Sequence, residues 1–208
     1  MEDARFRDSM AQVKAGNTAA MDSLLVASFD PLRSAIAHDM SESLKKAQLE
    51  PEDVIQEVYA AAWTHLPTAE FDTYDAFLGW LRQIAENKLI DMHRAILADK
   101  RDVRRQAPGW DVRSGSYVDL LDQVSSPLSS PSQGAARSEA LAVMMVRMQQ
   151  LPQDYRQVIH WRLIDGLPVA EVAQRLNRSE AAIHMLCHRA LKQLRELMGA
   201  SSDYLSQG

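Results

Sequence analysis

Apolar residues recur at three- and four-residue spacing almost throughout this chain, and the alternating pattern of a half-buried strand is missing. That periodicity restricts the chain to helices packed on helices, so the fold class expected is all-α. The pattern is interrupted once at length, where Pro108-Gly109, Ser114-Gly115-Ser116, Ser126-Pro127 and Ser129-Ser130-Pro131 gather. We therefore expect two small helical domains, over about residues 3–97 and 138–198, joined by a flexible linker over 98–137. A length of 208 residues has room for this arrangement. Within the linker, Trp110, Tyr117, Leu120 and Leu121 are too few for a core. They read equally as sticky docking points and as incidental hydrophobes in a tether.

Composition narrows the function. No stretch approaches the ~20 consecutive apolar residues that span a bilayer, so no membrane insertion is expected. No continuous apolar run follows Met1-Glu2-Asp3-Ala4-Arg5, so a secretory signal is not read either. The single cysteine, Cys187, rules out an internal disulfide, which fits a reducing cytoplasm. No nucleophile–base pair or Gly-rich phosphate loop is visible, so neither catalysis nor a cofactor is expected. The net charge of −5 argues at first against nucleic acid. Its distribution argues otherwise: residues 82–105 hold seven Lys/Arg against four Asp/Glu, and Arg175 to Arg195 carries five basic residues and one acid. Basic patches on an acidic body suggest local phosphate contact without general polyanion affinity. Such a chain should bind DNA poorly alone and gain affinity from a partner.

The second block reads as a helix-turn-helix. Pro168 to Leu176 is a short helix with proline in its first turn, where a missing N–H costs nothing. Asn177 tolerates the left-handed conformation that ends helices. Ser179 can cap the next helix, with Glu180 at its positive end. At 100° per residue, Ile183, Leu186, Cys187, Ala190, Leu194 and Leu197 share one stripe, the core face. Ala181, His184, Met185, His188, Lys192 and Arg195 share the opposite stripe, offering donors, cations and small apolar contacts suited to a major groove. The alternative is a plain αα-hairpin with a solvated basic face. His184 and His188 at i, i+4 invite a metal, but no third ligand stands at a usual spacing, so no metal site is read.

In the first block, Pro51 to Trp63 is amphipathic. Val54, Ile55, Val58, Ala62 and Leu66 can face inward, with Asp53, Gln56, Glu57 and Ala60 on the other side. Those acids either complement the helix dipole or form a docking stripe for a protein. A loop, Pro67 to Tyr74, leads into another helix carrying Phe77, Leu81, Ile84 and Ala85 on one side, bordered by Trp80 and Leu89. Phe71 and Tyr74 beside Arg82, Lys88, His93 and Arg94 supply a flat platform and phosphate neutralisation for an unstacked base. They equally suit a loop stapled to the core.

Taken together the segments resemble the sigma-70 family, in its compact extracytoplasmic-function (ECF) class. The resemblance rests on Glu52-Asp53-Val54-Ile55-Gln56-Glu57-Val58 with Trp63, then Phe77 to Asn87 with Asp91 and Arg94. It continues in Leu151-Pro152, Tyr155 to Ile159, Gly166-Leu167 and the helix-turn-helix ending His188-Arg189-Ala190-Leu191. It implies a sigma factor whose partners are core RNA polymerase, through the clamp helices and the flap, and promoter DNA, with an anti-sigma factor as a further candidate. It implies that Asp53, Gln56 and Glu57 meet the clamp helices. The loop Phe71, Asp72, Thr73 and Tyr74 would capture a flipped base of the minus-ten element, with Arg82, Lys88 and Arg94 along the melting strands. Arg178, Ser179, Glu180, Ala181, His184, Met185, His188, Arg189, Lys192 and Arg195 would read the minus-thirty-five element. Glu86 stands where the family commonly has a base, Pro168 where it has a Ser/Thr cap, and Asn177 where it has Gly. The competing reading is a stand-alone helix-turn-helix regulator binding an operator, usually as a dimer.

Overall fold

A computed structural model describes residues 1–102, 115–125 and 134–205, with side chains throughout except at 95–102 and 200–205. The chain divides into two compact units, Met1–Trp110 and Asp111–Gly208. Helices make up both, and no strand occurs among the described residues.

The first unit holds α1 (Asp3–Lys14), α2 (Thr18–Asp39), α3 (Glu42–Lys46), α4 (Pro51–His65) and α5 (Tyr74–Asp102), with a 3-10 turn at Leu66–Thr68. The α1–α2 corner is sharp because Gly16 takes φ +85° after the end of α1, a region an L side chain rarely enters. Asn17 then caps α2, its Oδ1 accepting the N–H groups of Ala19 and Ala20 at 3.0 and 3.3 Å. Helix α2 packs on α1, α4 and α5, and α4 packs on α5. The inward set expected on α4, Val54, Ile55, Val58, Ala62 and Leu66, is fully buried, joined by Phe6, Leu24, Leu25, Leu32, Phe77 and Leu81. Tyr59 is buried with them. Its hydroxyl donates to the Leu25 carbonyl at 2.7 Å, which satisfies a polar atom that would otherwise be costly to enclose.

The second unit holds α6 (Tyr117–Val124), α7 (Gly134–Gln149), α8 (Gln153–Ile159), α9 (Val169–Leu176) and α10 (Glu180–Leu205), with one π turn at His160–Ile164 continuing α8. Met144, Met145, Val158, Ile159, Ile164, Val172, Ile183, Ala190 and Leu194 form its core. Between α9 and α10, Asn177 takes φ 50° and ψ 50°, the left-handed geometry expected of it. Pro168 differs slightly from expectation: it precedes α9 as its N-cap residue, with ψ 147°, rather than lying in the first turn.

The stretch 98–137 is not tether throughout. Helix α5 runs to Asp102, α7 begins at Gly134, and α6 lies between them, closed by a capping box of Ser116 and Asp119. Tyr117, Leu120 and Leu121 are buried, together with Val124. Too few to make a core, they add to one already built by α7, α10 and the π turn. Trp110, Pro108-Gly109, Ser126-Pro127 and Ser129-Ser130-Pro131 lie outside the described residues.

Candidate nucleic-acid interface

Helix α10 carries two faces as the 3.6-residue period requires. Ile183, Leu186, Ala190 and Leu194 are buried, while Cys187 and Leu197 are half-buried at the edge of that stripe. Burial pushes the Cys187 thiol above its usual range, leaving it a poor nucleophile and a poor metal ligand at neutral pH. The opposite face, Ala181, His184, Met185, His188, Arg189, Lys192 and Arg195, is exposed in every member. Met185 is 54% exposed, one of few large apolar side chains so placed among the described residues. The N-terminus of α10 is closed by Ser179, whose Oγ accepts the Ala182 N–H at 3.2 Å.

The cations around this face differ in their freedom. Arg178 pairs with Asp154 of α8 at 2.5 Å, and Arg175 pairs with Glu171 at 2.6 Å while lying over the Trp161 ring. Lys192 has a loose contact with Glu196 at 3.9 Å, both largely exposed, so it costs little to redirect. The Nε of Arg195 donates to the Gln123 carbonyl of α6 at 3.3 Å. Arg178 and Arg195 thus serve the fold as well as the surface.

In the first unit the residues divide more unevenly. Asp53, placed by periodicity on an outer stripe of α4, is 5% exposed and its Oδ2 accepts the Glu50 N–H at 2.7 Å, closing a capping box. Gln56 is 9% exposed. Only Glu57 of the three stands in solvent, and it pairs with Lys88 at 3.0 Å. The neighbouring Glu52 is buried against the Arg33 guanidinium at 2.7 Å, a role that periodicity could not show.

The loop before α5 is anchored at both ends. Tyr74 is a core residue: it is buried, its hydroxyl donates to the Ala27 carbonyl at 2.8 Å, and its ring meets Phe6 edge-on at 5.9 Å. Burial and the charge of Asp75 both raise its pKa. Thr73 caps α5, its Oγ1 accepting the Ala76 N–H at 3.2 Å. Phe71 is half-buried against Phe77 and Trp80, at 5.8 and 5.3 Å between ring centroids, and Asp72 is exposed. The stapled reading therefore holds for Tyr74, whereas Phe71 with Trp80 leaves part of an aromatic platform open. Helix α1 contributes unexpectedly here: the Asp3 carboxylate accepts the Tyr74 N–H at 3.2 Å, and Lys14 pairs with Glu70 at 3.0 Å. That pair holds the Glu70 carboxyl below its usual range. Further along α5, Arg82 is exposed with no ion pair among the described residues, and Arg94 pairs loosely with Asp91 at 3.7 Å.

A helix-turn-helix with an exposed polar face, and a helical unit with a partly exposed aromatic pair, place the protein in the class of all-helical, helix-turn-helix proteins. A family model for the ECF sigma factor matches residues 4–202, and the chain belongs to that family. It is 26% identical over 205 residues to the ECF RNA polymerase sigma factor SigD of Mycobacterium tuberculosis, covering 98% of this chain and 89% of that one. It is 32% identical over 147 residues to the ECF RNA polymerase sigma factor SigF of Caulobacter vibrioides, covering 71% and 70%. Among solved structures, CnrH in complex with the cytosolic domain of CnrY matches at 23% identity and a TM-score of 0.29, covering 96% of this chain and 99% of that one. The protein is a sigma factor: it directs RNA polymerase in transcription initiation, and its partners are core polymerase and promoter DNA. The family is not one of enzymes. No helix among the described residues is long and apolar enough to cross a membrane.

Proposed function

We propose that the two units divide the work of initiation, residues 3–97 docking on polymerase and handling the minus-ten element and 138–198 reading the minus-thirty-five element. The exposed face of α10 carries this reading, because its donors, cations and one large apolar side chain sit on a helix whose other face is buried. His184, Met185 and His188 lie nearer the helix start, where base edges are met, and Arg189 and Lys192 further along, where phosphates are. In the first unit Glu57 is the solvent-facing member of the docking stripe, with Asp53 and Gln56 holding the helix that presents it. Phe71 with Trp80 forms the platform for an unstacked base, Asp72 and Thr73 shape the loop, and Arg82, Lys88 and Arg94 line the strand path. The protein works in the cytoplasm and performs no catalysis of its own.

The test is reconstitution of the purified chain with core polymerase, followed by transcription from a randomised promoter library. The expected result is initiation at a shared two-part element, with weak DNA binding by the chain alone. Tight binding of the free chain to a symmetric operator, with no effect on polymerase, would support a stand-alone regulator instead.

A further inference from the structure

Helix α6 is bound into the second unit from both of its ends. Gly115, just ahead of it, lies so close to the Leu163 backbone that any side chain there would run into the Leu163 carbonyl. Tyr117, Leu120, Leu121 and Val124 turn inward, and the Tyr117 ring meets the His160 ring of the π turn edge-on at 6.3 Å. One guanidinium nitrogen of Arg137 on α7, Nη2, donates to both carboxylate oxygens of Asp122, at 2.8 and 3.0 Å. The Gln123 carbonyl belongs to the last turn of α6, where acceptors lack partners within the helix and the dipole favours a cation. Arg195 of α10 supplies that cation and that donor together.

Arg195 lies along α10 where a phosphate contact is expected, one turn beyond Lys192. The two are not equivalent. Among the described residues Lys192 has only a long exposed ion-pair contact with a neighbour on its own helix, whereas Arg195 spends its Nε–H on another element. Arginine suits this task because a fixed fork can hold a carbonyl at a defined angle, which a lysine ammonium on a flexible stem does not. Building on the reading of α10 as the recognition helix, we propose that Arg195 is a positioning residue: it fastens α6 across the C-terminal half of α10, and α6 so fastened sets how the recognition helix is presented to DNA.

Two measurements on the full chain test this. In hydrogen exchange, Arg195→Ala and Asp122→Ala should each lower protection of the 117–124 amides by about tenfold, while α8 amides stay protected. In promoter binding by the reconstituted holoenzyme, Arg195→Ala should weaken every promoter yet leave the salt slope unchanged. Arg195→Lys, which keeps the charge, should behave like Arg195→Ala. A slope flattened by about 0.9, the share of one phosphate, with α6 exchange unaltered, would overturn the proposal; so would wild-type behaviour of Arg195→Lys. Lys192→Ala run alongside judges the underlying reading separately. If it leaves the slope unchanged, α10 is not a DNA face, and hydrogen exchange still decides whether Arg195 fastens α6.

Discussion

Glu57 of α4 and Lys88 of α5, assigned from the sequence to polymerase and to DNA respectively, form an ion pair with each other, with Nζ 3.0 Å from Oε2. Their side chains are 51% and 36% exposed, so water screens the pair and its worth is about 0–1 kcal/mol. A partner offering a desolvated contact to either residue outcompetes it.

Glu57→Lys should therefore abolish association with core polymerase in a pull-down while leaving helicity intact, since a like-charge clash at an interface costs several kcal/mol. Adding Lys88→Glu rebuilds the intramolecular pair with reversed charges and should not restore association. Recovery in the double variant would mean that the pair, and not docking, was what the first substitution damaged. Asp53→Ala should behave differently, lowering the thermal stability of the first unit by about 1 kcal/mol through loss of its cap.

The two aromatic residues of the loop should part company. Phe71→Ala should slow open-complex formation on linear promoters more than on a pre-melted bubble, because a base platform matters once strands separate. Tyr74→Phe should lower unfolding stability by about 1 kcal/mol through the lost hydroxyl contact with Ala27, and leave the bubble-to-linear ratio alone. Equal losses on both templates for Phe71→Ala would make the whole loop structural.

On α10, His188→Ala should relax or shift preference at one or two positions of the upstream element, since a good base contact discriminates by ~1–3 kcal/mol. Lys192→Ala should instead lower transcription from every promoter and flatten its salt dependence. Both are read on one randomised upstream library. A uniform loss for His188→Ala, or an altered consensus for Lys192→Ala, would reverse these roles.

Tyr59 gives the first unit an alkaline limit. Burial raises its pKa well above that of an ordinary tyrosine, so the unfolded chain loses this proton at a lower pH than the folded one. The stability is fully present below about pH 10 and falls as pH rises toward the folded value, by up to about 1.4 kcal/mol per pH unit. Denaturant unfolding from pH 9 to 11 should show the decline, and Tyr59→Phe should make it shallower.

The sequence by itself determined that the chain is helical, where α9 ends and α10 begins, and which face of α10 is left to solvent. Those features follow from local physics: a 3.6-residue period, a serine that can cap, and an asparagine that tolerates φ 50° at residue 177. Membership of the ECF sigma factors was legible too, in the ordered conjunction of short motifs. What only the tertiary structure decided was the fate of polar and apolar side chains that periodicity leaves ambiguous. Asp53 and Gln56 stand on the polar side of α4 but are covered, Tyr74 is drawn from the loop into the core, and Arg195 is tied to a helix some 72 residues earlier in the chain. For the apolar residues of α6 the sequence left the choice open, Tyr117, Leu120 and Leu121 reading equally as docking points and as incidental hydrophobes, because a short amphipathic segment has no core of its own. Its stability comes from the surface it covers, and that surface, built by α7, α10 and the π turn, exists only once the second unit has folded.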